Sequence, residues 1–142
     1  MGFMKSQRGF TFVGLLFLLA GVAGIYAIVA FAPAYWDNVE VGKTLHEAAN
    51  MCMRSGDDGV RDFIDGKLRQ QFDTGAFDDR GNKLLSIDFD SHEDVRIERT
   101  EQPRNVDIWV TYQRHVPLPL VGGERVITFN DHVAQDLSPV KW

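Results

Sequence analysis

The sequence predicts an α+β protein: one N-terminal transmembrane helix, then two amphipathic helices packed on a three- to four-stranded antiparallel sheet. Three observations predict it. Residues 10–36 carry no charge. Residues 37–72 place apolar side chains every three or four positions. Residues 94–133 alternate apolar and polar positions over three short runs. The first amphipathic helix either continues the span or restarts after Pro33.

A chain of 142 residues holds one domain with an appendage. Its 44% hydrophobic and 25% charged residues fit a folded protein rather than a disordered one. One cysteine excludes an intramolecular disulfide framework and a multi-cysteine zinc site. The net charge of −5 argues against nucleic acid as a partner, because phosphate binding needs clustered Lys and Arg.

The charge is unevenly spread. Residues 1–9 carry Lys5 and Arg8 and no acid, whereas all 20 acids and 13 bases follow Trp36. This divides the chain into a basic cytoplasmic head (1–9), a transmembrane helix (10–34) and a periplasmic α+β domain (35–142). From Phe10 to Ala32 the polar side chains are Thr11 and Tyr26. As a helix this run rises roughly 34 Å, enough to cross a hydrocarbon core of about 30 Å. It is longer than the core of a cleaved secretory signal and passes straight into Pro33, so the segment reads as retained. Tyr35 and Trp36 stand where an interfacial aromatic belt belongs, and Lys5 and Arg8 hold the N-terminus in the cytoplasm. Pro33 is expected to kink or end the helix.

Ala20, Ala23, Gly24, Ala27, Ala30 and Ala34 recur at spacings of three and four. They form a small-residue stripe that a second helix could approach closely. The partners expected are therefore the lipid bilayer and other membrane subunits, or a second copy through the span.

Residues 5–13 (KSQRGFTFV) resemble a type IV prepilin leader: a short basic stretch ending in Gly, then Phe, Thr and a long apolar helix. The resemblance implies cleavage between Gly9 and Phe10 and methylation of the new amine. The chain departs from that family at Gly14, where pilins carry a Glu that pairs with a neighbour's terminal amine. A second resemblance runs from head to tail. Gln7 to Thr11, Pro33 to Tyr35 and Val116-Pro117-Leu118 are similar to a family of small, uncharacterised single-span proteobacterial membrane proteins. That family brings no activity with it.

Beyond the span, Val41, Leu45, Ala48, Ala49 and Cys52 mark one helix face, up to about Arg54. Ser55 to Gly59 breaks and recaps the chain. Val60, Phe63, Ile64, Lys67, Leu68, Gln71 and Phe72 mark a second helix, which Gly75 can end. Residues 73–83 read as an exposed loop. Strands are expected near 94–100 (Val95, Ile97), 105–116 (Val106, Ile108, Val110, Tyr112) and 124–133 (Ile127, Phe129, Val133), with a short fourth at 84–89.

No constellation spells a catalytic or metal site, and no cofactor is implied. Asp73-Thr74-Gly75 matches the aspartic-protease triplet, but that chemistry needs two carboxylates sharing a proton. A plain turn is the default. Asp88, Asp90, Glu93 and Asp94 crowd around His92. Counted from Asp88, however, an EF-hand calcium loop would need Gly at Glu93 and Glu at Arg99. His115 and His132 lack a third ligand. Cys52 is expected to be a buried, inert thiol. Arg96, Arg99, Arg104 and Arg114 read as a solvated strand face. The Pro117 to Gly123 segment is an apolar hairpin tip, where polar residues are usual. Leu118, Leu120 and Val121 there could bind a partner, rest on the membrane or fold back under the sheet. The leading expectation is a non-catalytic accessory subunit of a membrane complex, and the alternative is a minor pilin or pseudopilin.

Overall fold

The computed structural model describes residues 11–139. Helix α1 (Phe12–Met51) is 40 residues long. Thr11 caps it, its hydroxyl oxygen accepting from the Gly14 N–H at 3.2 Å. Its N-terminal part is long and apolar enough to cross a membrane, and no residue of its most apolar 18-residue stretch is buried among the described residues. Gly9 and Phe10, the cleavage pair implied by the prepilin resemblance, lie outside the described residues.

Of the two alternatives at Pro33, continuation and restart, the structure shows continuation: α1 runs through Pro33 to Met51. Proline removes one N–H and crowds the turn before it. Packing on both sides of Pro33 offsets this: Ala30 and Ala34 are buried before and after it, and Val41 and Leu45 follow on the same side. The apolar run and the first amphipathic helix are thus one element.

Helix α2 (Asp57–Gln71) has Asp57 and Asp58 in its first turn, where carboxylates favour the positive end of the helix dipole. It buries Val60, Ile64 and Leu68, spaced by four. It stops at Phe72 rather than at Gly75. The expected loop 73–83 is instead a small hairpin, β1 (Asp73–Phe77) with β2 (Lys83–Leu85). Polar ties hold it: Lys83 Nζ lies 2.9 Å from Asp73 Oδ2, and the Thr74 hydroxyl donates to the Leu84 carbonyl at 2.7 Å. Gly75, at φ +75°, sits inside β1 where the register shifts.

Four strands form the main antiparallel sheet: β3 (Ile87–Asp88), β4 (Val95–Glu101), β5 (Arg104–Pro117) and β6 (Glu124–Asp136). β5 is central. It pairs with β6 over its whole length and with β4 and β3 along its other edge. Val106, Ile108, Val110, Tyr112 and Val116 point inward from β5 and are buried. The C-terminal half of α1 lies across this face with Val41, Leu45, Ala48 and Ala49, so one apolar core joins helices and sheet. Phe72, Tyr112 and Phe129 stack through its centre, with ring centroids 5.6 Å and 5.3 Å apart.

Arg99 departs from the expected solvated face. Its guanidinium donates to Asp57 at 2.7 Å and to the carbonyls of Cys52 and Ser55 at 2.9 Å and 3.1 Å, fastening the α1–α2 corner to β4. Arg61 of α2 likewise donates to the carbonyls of Ser91 and Val95. Leu45 is fully buried where α1 meets the sheet. Leu45→Ala should therefore cost about 2–5 kcal/mol of body stability, read by chemical unfolding of the full chain in detergent micelles.

Candidate functional site

The residues with no evident structural duty gather where α1 leaves the body. There the β5–β6 hairpin runs back along the helix, past the level of Pro33, toward the apolar end. Two polar ties set this alignment. Arg114 Nη2 lies 3.0 Å from Asp37 Oδ2. The Tyr26 hydroxyl donates to the Pro119 carbonyl at 2.5 Å. Asp37 to Tyr26 is about 16 Å of helix, and β5 from Arg114 to Pro117 with the two residues that follow it can reach about the same length. The equal spans mean that hairpin and helix run side by side between the two ties.

The upper tie is well supported. Arg114 is mostly buried, stacks over the Phe72 ring at 5.0 Å and donates to the Ser86 hydroxyl. Gln71 donates to the Asp37 carbonyl at 2.8 Å. Next to it the Tyr112 hydroxyl donates to Asn38 Oδ1 at 2.7 Å, and Asn38 Nδ2 donates to Asp131 Oδ1 at 3.3 Å. Burial pushes the Asp131 carboxyl above the usual carboxylate range.

Between the ties lies a groove of ≈ 360 Å³ walled by Val29, Ala30, Pro33, Val116 and Leu118. The small-residue stripe is therefore split. Ala30 and Ala34 are buried in the body, at 8% and 2% exposure, whereas Ala20, Ala23, Gly24 and Ala27 remain open. At the hairpin tip Leu118 faces the helix groove, and Leu120 and Val121 are 100% and 75% exposed.

The other candidates are spent on structure or kept apart. His115 and His132 sit six residues apart on the sheet ladder, roughly 20 Å. His132 stacks on Trp109 at 4.7 Å and meets Asp107 at 2.9 Å. Arg96 caps the other face of that indole at 5.0 Å. In the acidic turn, Asp94 Oδ2 accepts from the Asp90 N–H and Asp90 Oδ1 accepts from the His92 N–H, both at 2.8 Å. No group of three or more potential metal ligands forms among the described residues. The Asp73 carboxylate is bound to the Gly75 N–H and to Lys83, which hold it below its usual range. Cys52 is free and buried, its thiol donating to the Ala48 carbonyl at 3.4 Å, and burial pushes its pKa up.

Tyr26 is the residue of this junction that sequence reasoning passed over. Its signal was present: a lone phenol in an apolar helix needs a hydrogen-bond partner, and none lies nearby in sequence.

His115 bridges three strands at the hairpin's base. Nε2 lies 2.7 Å from Asp88 on β3, and Nδ1 lies 3.0 Å from Glu124 on β6. The bond to Asp88, helped by Glu124, raises its pKa above 6.5. A raised folded value favours the protonated folded state. Its stabilisation is complete below the ordinary histidine pKa and is lost as pH rises through the raised one. The melting temperature should therefore fall as pH rises from below the ordinary histidine range through the raised pKa, and by little, because the partly exposed bridge is screened by water. His115→Gln should remove that part of the slope.

Comparison of the chain with protein-family models, with curated proteins and with solved structures gives no match, so no activity is transferred from a relative.

Proposed function

We propose that this chain is a bitopic inner-membrane protein that serves a membrane complex as a non-catalytic structural or accessory subunit. Lys5 and Arg8 hold the N-terminus in the cytoplasm, and the acidic body stands in the periplasm. One observation carries the reading. A bare, uncharged helix is continuous with the helix that organises the body core. Movement or docking of the span is thereby transmitted to the body without a flexible joint. The open part of the stripe, Ala20, Ala23, Gly24 and Ala27, gives a second helix a close approach. The clefts beside the span are walled mainly by apolar side chains, and Arg114 and His115, which line one of them, are both tied to partners within the body, an arrangement that suits packing.

A second reading, a minor pilin or pseudopilin, is favoured by the same unbroken helix, half bare and half packed on a sheet. Gly14 stands against it, because the acid that pairs with a neighbour's amine is missing there.

Extraction in mild detergent should recover the chain in an assembly larger than a monomer. Ala20→Ile with Gly24→Ile should shift it to the monomer while leaving the body's melting temperature within about 2 °C. A monomeric wild-type chain would contradict the accessory reading, and recovery in sheared surface filaments would select the second.

A further inference from the structure

The hairpin tip lies beside the apolar part of α1, not beyond it. Tyr26, to which it is tied, stands about 21 Å along the helix from Phe12. A hydrocarbon core of about 30 Å beginning at Phe12 would extend roughly 9 Å past that level. The Pro119 carbonyl is thus held at membrane depth by a hydroxyl of the span itself.

The tip's chemistry fits that depth. Residues 116–123 carry no charge. Pro117 and Pro119 present no N–H groups. The Leu118 N–H donates to the Gly123 carbonyl at 3.1 Å, and the Gly122 N–H donates to the Leu118 carbonyl at 3.2 Å. Tyr26 satisfies the Pro119 carbonyl, and the phenol in turn gains the acceptor it lacks in an apolar helix. Two donors are removed by proline and two are bonded within the tip. The N–H groups of Leu120, Val121 and Gly123 have no protein acceptor among the described residues. These three N–H groups find no partner in hydrocarbon and oppose deep entry, so the tip enters only as far as lipid ester oxygens or water accompany them. Charge returns at the tip's base. Arg125 makes no ion pair among the described residues, and Glu124 is tied to His115.

We propose that the Leu118–Val121 tip enters the outer leaflet of the membrane that α1 spans. In that position Leu120 and Val121 contact phospholipid acyl chains, Arg125 lies at phosphate level, and the Tyr26–Pro119 hydrogen bond sets the depth. The inference rests on the proposed span. It makes the body lean on the membrane at two points, helix and hairpin, so that the sheet keeps a fixed tilt to the bilayer.

The test is spin-label accessibility of the full chain in liposomes of zwitterionic and anionic phospholipid. Single labels are placed at Leu18→Cys, Leu120→Cys and Ala134→Cys in a Cys52→Ala background. Oxygen should relax the labels at 18 and 120 several-fold more than a water-soluble nickel chelate does, and the order should reverse at 134. Tyr26→Phe should move the label at 120 toward the aqueous ratio; an unchanged ratio would overturn the tether. A label at 120 open to nickel, with 18 in lipid, would overturn the inference and leave the span standing. A label at 120 shielded from both reagents would mean that protein, not lipid, covers the tip. A label at 18 open to nickel would overturn the span and the inference with it.

Discussion

The Asp37–Arg114 ion pair marks the level at which α1 changes its surroundings. On its N-terminal side the helix carries no charge up to Phe12; on its C-terminal side it turns one face to a core and the other to water. A mostly buried pair of this kind contributes little net stability, because removing two charges from water is costly. Losing one partner is what destabilises, since the other charge is then stranded. Arg114 also stacks on Phe72 and holds Ser86, so the pair links α1, α2 and the strands at one point. The hairpin's alignment with α1 starts at this junction.

From that point the geometry beside the apolar half of α1 follows. Helix and strand rise at different rates per residue, so two ties separated by equal lengths hold them parallel. The upper tie is charged and the lower one is a neutral phenol–carbonyl bond. That order suits a boundary between water and hydrocarbon, where a neutral bond gains strength and an unpaired charge is costly. His115 occupies the level between them and carries a proton-dependent bridge across three strands.

Much of this was legible in the residues. The uncharged run showed a helix long and apolar enough to cross a membrane, the spacing of Val41, Leu45, Ala48 and Ala49 showed a packed face, and alternation from Val106 to Tyr112 showed the central strand. What escaped has physical reasons. Helix continuity at Pro33 is decided by tertiary packing on Ala30 and Ala34, which outweighs the local cost of proline. The β1–β2 hairpin is largely exposed, so no apolar alternation announces it. Arg99 and Arg114 look like surface charges until distant carbonyls and carboxylates are brought to them. Tyr26 and Pro119 are 93 residues apart, and no local rule joins them.

The central claim is that α1 carries the body across a membrane with the basic head left behind. Thiol labelling in intact spheroplasts tests it most directly, using single cysteines at Ser6 and Ala134 in a Cys52→Ala chain. The account predicts that a membrane-impermeant maleimide labels position 134 at once and position 6 only after the membrane is opened. Equal protection of both positions, or labelling of position 6 alone, would contradict it.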